Sequence, residues 1–106
     1  IINAYGGAIK PTWGVPIDEI QRGIKNGVRK INIDTDCRMA KTGQFRKVAR
    51  QNPREFDPRK FLKPAMDAMR DLCKARLEAF GTAGNASKIK VIPMDEMARR
   101  YRAGMA

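Results

Sequence analysis

Five consecutive residues, Asn32-Ile-Asp-Thr-Asp36, gather an amide, two carboxylates and a hydroxyl into one short run. Amides and carboxylates hold the hydroxyl and carbonyl oxygens of a polar substrate, and backbone N–H groups where a strand turns into a helix hold a phosphate. Asn32 and Asp34 sit where local preference is against them. They fall inside Val28-Arg-Lys-Ile-Asn-Ile-Asp34, which reads as a β-strand, and both residue types are depleted in strands. A disfavoured polar residue at the C-terminal end of a strand points to a function that offsets the local cost. In α/β folds that end is where ligands bind. Thr35 is next in line. Asp36 has a plainer reading, as the cap of the helix that follows, and that structural role is the one preferred for it. Arg38 and Arg59 read first as surface arginines. Arginine is the side chain best matched to two-pronged phosphate binding, but composition alone does not raise these two above the other basic residues.

The elements that must position these groups follow from spacing and punctuation. In the strand, Ile31 and Ile33 share one face, while Asn32 and Asp34 share the other. No other stretch reads convincingly as a strand, and a lone strand cannot satisfy its own backbone donors and acceptors. The rest of the sheet must therefore come from other polypeptide, which makes this chain one corner of a larger α/β enzyme. Upstream, Ile1 to Tyr5 reads as a helix end stopped by Gly6-Gly7, and Lys10 to Pro16 as an ordered loop. Pro16, with Asp18 and Glu19 behind it, opens a short helix whose apolar face is Ile17, Ile20 and Ile24 and whose stop is Gly27. Downstream, Met39, Phe45 and Val48 suggest a helix weakened by Thr42-Gly43. Asp57-Pro58-Arg59 is a capped helix start, but Pro64 lies too deep for an undisturbed helix. A short turn is expected first, then a main helix from near Pro64 with Met66, Met69, Cys73, Leu77 and Phe80 as its core stripe. A small-residue loop from Gly81 to Ser87 and a short helix from Met94 to Tyr101 complete the chain.

Composition narrows the function classes. At 106 residues there is room for one small domain, with no internal repeat. The net charge of +11 raises nucleic-acid binding, and a small basic RNA- or DNA-binding protein is the competing reading from a different class. The basic residues are nevertheless scattered at helical spacing among acidic ones, without a dense run or interleaved aromatics. Solvated helix faces, or service to phosphorylated substrates, fit that pattern better. There is no histidine, hence no imidazole base or metal ligand. Cys37 and Cys73 lack metal spacing and are expected to stay reduced in a cytoplasmic compartment. No run approaches a membrane span and no secretory pattern is present. A start at Ile1 fits a segment of a longer chain.

Three motifs in order, Gly14-Val-Pro, Gly27-Val-Arg-Lys-Ile-Asn-Ile-Asp-Thr-Asp36 and Phe56-Asp-Pro-Arg59, resemble the C-terminal third of a class II fructose-bisphosphate aldolase. Gly81-Thr-Ala-Gly84 and Ser87-Lys-Ile-Lys90 resemble the variant associated with Calvin-cycle organisms. The resemblance covers essentially the whole chain. It implies that residues 1–106 are the C-terminal segment of a single (β/α)8 barrel domain, not an independent domain, with the strand as the eighth. It implies zinc-assisted cleavage of fructose 1,6-bisphosphate to dihydroxyacetone phosphate and glyceraldehyde 3-phosphate. Tagatose 1,6-bisphosphate, differing only in hydroxyl stereochemistry, is the nearest alternative substrate. By this resemblance Asn32 holds oxygens of the dihydroxyacetone phosphate part, Asp34 and Thr35 meet its phosphate and neighbouring hydroxyls, and Arg38 and Arg59 meet the other phosphate. Arg59 would act in a neighbouring subunit's site, in a dimer or tetramer. The zinc ligands and the acid/base carboxylate are implied to lie upstream, so this chain supplies neither metal ligand nor catalytic residue.

Overall fold

The computed structural model describes residues 1–105, and its first helix shows how local sequence decides an ending. α1 runs Ile17–Lys25 from Pro16, with Asp18 and Glu19 in its first turn. It stops at Gly27, whose φ of 102° suits glycine. Gly27 N donates to Ile24 O at 3.1 Å and Val28 N to Gly23 O at 3.0 Å. Those are the paired bonds of a glycine-terminated helix end. The third helix ends the same way at Gly81 (φ 73°), with Gly81 N donating to Glu78 O and Thr82 N to Leu77 O.

Residues 28–34 form neither helix nor strand, and the described residues contain no sheet. The expected strand is thus not formed, and the regular structure among the described residues is all helical. The reason is the one that made the segment conspicuous. No residue from 29 to 34 donates a backbone–backbone hydrogen bond, so its ladder groups have nothing to pair with. The expected alternation is present all the same, with Ile31 and Ile33 half-buried and Asn32 and Asp34 exposed.

α2 spans Thr35–Gln51 and passes straight through Gly43. That glycine is buried, and a Cβ there would overlap the Ile1 side chain. What looks like a weak point is the gap that lets the N-terminal segment cross the helix. Ile2 is among the most buried residues, a single 3-10 turn follows at Asn3–Tyr5, and Arg46 donates to the Gly6 carbonyl at 2.8 Å.

α3 spans Pro58–Ala79, capped as expected by Asp57, whose Oδ1 accepts from Arg59 N at 2.9 Å. Pro64 does not delay it. A proline here removes one bond, to the carbonyl of Lys60, and Lys60 is exposed to water. The turns on either side are held by packing against α2, through the Phe45–Phe61 stack (centroids 5.0 Å apart) and the fully buried Ala65. The face of α3 turned inward is Phe61, Ala65, Ala68, Leu72 and Arg76, all buried or half-buried. The expected core stripe is displaced from it: Met66, Met69, Cys73 and Leu77 are exposed. Both stripes have helical spacing, and this chain covers only one. A 3-10 turn at Ala86–Lys88 and α4, Met94–Arg102, follow.

The helices do not close on a core of their own. The surface is 8848 Å², against roughly 6,000 Å² for a folded monomer of this mass. The radius of gyration is 19.2 Å, against about 13 Å for a compact chain of this length. Expressed alone, residues 1–106 should therefore give no cooperative monomeric unfolding transition. Thermal melting combined with sedimentation checks this, and a sharp two-state melt from a monomer contradicts it.

Candidate functional site

The segment 28–34 delivers its polar residues to the start of α2, where the positive end of the helix dipole and the first free N–H groups lie. Asp34 occupies the capping position but makes no capping bond. Its Oδ1 instead accepts from Arg38 Nε, one turn along, at 2.8 Å. The Asp34 bond, first, and its charge hold the Arg38 guanidinium yet more firmly protonated. Asn32 Oδ1 accepts from Lys30 Nζ, and Thr35 is the half-buried first residue of the helix.

Asp36 does not cap α2. It is the second helical residue, and its carboxylate ties three parts of the chain together. Oδ1 accepts from Gly14 N at 3.3 Å and Oδ2 from Arg76 Nη2 at 2.7 Å. The capping role preferred for Asp36 is therefore corrected, because its carboxylate is taken up by partners in the Gly14 loop and α3. Sequence reasoning missed its two partners. A signal for Arg76 existed: it continues the spacing of Phe61, Ala65, Ala68 and Leu72, which places an arginine on the inward face of α3.

Gly14, Asn32, Asp34, Thr35, Asp36 and Arg76 line a cleft of about 260 Å³, together with the apolar Val15, Ile20, Ile31 and Ile33. Amide, carboxylate and hydroxyl thus converge on one concavity at a helix N-terminus, an arrangement that can hold a small polyhydroxylated anion. Arg38 and Arg59 do not line it. Arg38 lies at the same end of α2. Arg59 lies at the opposite end of the α2–α3 pair, about 25 Å away by the rise of a 17-residue helix. Its side chain is 88% exposed and grips Asp57 through Nε and Nη2 at 2.7–3.0 Å. That contact holds the Asp57 carboxyl below the usual carboxylate range.

Cys37 is buried and Cys73 exposed, and both are free thiols. Burial pushes the Cys37 thiol up, and the neighbouring Cys73 adds to the shift. Among the described residues no three of His, Cys, Asp and Glu come together in a way that could hold a metal ion. The residues present here do not fit a zinc site. No helix among the described residues is long and apolar enough to cross a membrane.

Comparison with known proteins joins this geometry to a family. The family model described as fructose-bisphosphate aldolase class-II matches residues 9–85, from the Gly14 loop through the end of α3 and into the following loop. The chain is 78% identical over 104 residues to "Fructose-bisphosphate aldolase 2" of Rhodobacter capsulatus, covering 98% of this chain and 91% of that one. It is 76% identical to "Fructose-bisphosphate aldolase 2" of Cereibacter sphaeroides and 62% identical to "Fructose-bisphosphate aldolase" of Pseudomonas aeruginosa, again over 98% of this chain. Of those two longer relatives it spans only 29%. The match takes in every residue lining the cleft, and on that basis the chain belongs to the class II fructose-bisphosphate aldolase family.

Proposed function

We propose that residues 1–106 are the C-terminal segment of a (β/α)8 barrel that cleaves fructose 1,6-bisphosphate reversibly into dihydroxyacetone phosphate and glyceraldehyde 3-phosphate. The observation that carries this reading is the segment at residues 28–34. The backbone N–H groups of residues 29–34 have no partner among the described residues, and the segment carries Asn32 and Asp34 up to Thr35 at a helix N-terminus. Set between neighbouring strands, it would be the eighth of the barrel, and its C-terminal end is where barrel enzymes grip phosphate. The large surface excess and the exposed Met66, Met69 and Leu77 agree with burial against the rest of that polypeptide.

In this reading Asn32 orients the hydroxyl and carbonyl oxygens of the triose phosphate half, and Asp34 accepts hydrogen bonds from its hydroxyls. Thr35 and the first N–H groups of α2 hold its phosphate. Arg38 is paired with Asp34 in the absence of substrate, with side chains 77% and 67% exposed. A pair so exposed is screened by water and contributes little. Substrate can therefore take both partners over. Zinc ligands, like the acid/base carboxylate, belong to polypeptide outside these residues. The assembly is a cytoplasmic homo-oligomer whose subunits share Arg59.

Kinetics of the complete enzyme decide between the two sugars. It is expected to release both triose phosphates in equal amounts, with kcat/KM higher for fructose than for tagatose 1,6-bisphosphate. The reverse preference overturns the substrate assignment, and no cleavage of either overturns the function.

A further inference from the structure

The Asp36–Arg76 pair differs from the other ion pairs among the described residues. Its side chains are only 17% and 19% exposed, while every other pair has a partner at least 46% exposed. A shielded, short, well-directed contact fixes geometry in a way that solvated pairs do not. Each oxygen of Asp36 serves a different segment: one the loop before α1, the other the C-terminal half of α3. The loop residue is Gly14, where a Cβ would stand 3.1 Å from Oδ1 and 3.3 Å from the carboxyl carbon. A side chain at position 14 would press directly on the carboxylate. Asp36 is one residue beyond Thr35 and two beyond Asp34, and Arg76 forms part of the same cleft wall.

We propose that Asp36 and Arg76 are positioning residues: by fixing the first turn of α2 between the Gly14 loop and α3, they set where Asp34 and Thr35 meet the substrate. This rests on the functional reading above, in which those two residues contact the sugar phosphate. A merely structural tie behaves differently. Its loss lowers the melting temperature and the fraction of active enzyme, so kcat falls at constant KM. Loss of positioning weakens the hold on substrate, so KM rises.

Steady-state kinetics on the complete enzyme, with melting temperatures measured in parallel, separate the two. Asp36→Asn and Arg76→Met should each raise KM for fructose 1,6-bisphosphate about tenfold, the scale of one charge-assisted hydrogen bond, with kcat changed much less. Arg76→Lys keeps the charge and should recover most of the loss. Gly14→Ala, which leaves both charged residues in place, should raise KM in the same direction. It also decides the matter where Asp36→Asn does not fold. Wild-type KM in Arg76→Met and Gly14→Ala, or a fall confined to kcat, overturns the positioning role. A wild-type enzyme inactive on the bisphosphate instead removes the functional reading on which that role rests.

Discussion

Asp34→Ala in the complete enzyme is expected to lower kcat/KM for fructose 1,6-bisphosphate by about 10²-fold or more, the scale of losing one preorganised contact to the reacting part of a substrate. The fold should be spared, for reasons visible at the start of α2. Asp34 stands at the capping position without making the capping bond, so alanine removes no helix cap. Its one partner is Arg38, and both side chains are more than two-thirds exposed, so the lost pair contributes little to stability. Bound metal should also be unchanged, because Asp34 is assigned to substrate and not to metal. Three measurements on one preparation therefore test the assignment: turnover, metal stoichiometry and melting temperature. Normal kinetics would show that the carboxylate is a solvated helix-start residue. Stoichiometric loss of metal would move Asp34 to a different role altogether.

How much of this site was legible in the sequence depended on whether the deciding interaction was local. The α1 stop at Gly27 and the Asp57-Pro58-Arg59 start of α3 are settled within a few residues, by a positive φ and by a carboxylate beside its own helix. Both were readable. The alternation of Asn32 and Asp34 against Ile31 and Ile33 was readable too, since side-chain period in an extended chain is two. A strand needs a partner, however, and none lies within these residues. Gly43 and Pro64 misled because their local cost is overridden from a distance. Ile1 crosses α2 at Gly43, and Phe45 and Ala65 hold α3 together around Pro64. The clamp on Asp36 joins residues 22 and 40 positions away, which no local pattern encodes. The apolar stripe of α3 was displaced for a related reason. Two faces of that helix are apolar, and periodicity alone does not say which of them the chain itself covers.

Arg59 carries the second large effect, and its location makes the test geometric as well as energetic. It lies at the far end of the α2–α3 pair from the cleft, with its side chain 88% exposed and, among the described residues, held by Asp57. An arginine placed there cannot serve the Asn32–Asp34 cleft of its own subunit, but it is free to reach a neighbour. Arg59→Ala should reduce kcat/KM on the bisphosphate by about 10- to 100-fold, the scale of losing one hydrogen bond to a charged group. The helix should survive, because the capping bond uses the backbone N–H of residue 59, which alanine retains. Preference for the bisphosphate over fructose 1-phosphate should shrink, since the monophosphate lacks the group that Arg59 would bind. Mixed oligomers of Arg59→Ala with Asp34→Ala subunits complete the test. If Arg59 enters the neighbour's site, a mixed dimer holds one site with both defects and one with neither, so activity partly returns on mixing. If Arg59 acts within its own subunit, every site keeps one defect and nothing is recovered. Equal losses on both sugars, without recovery on mixing, would reduce Arg59 to a support for the start of α3.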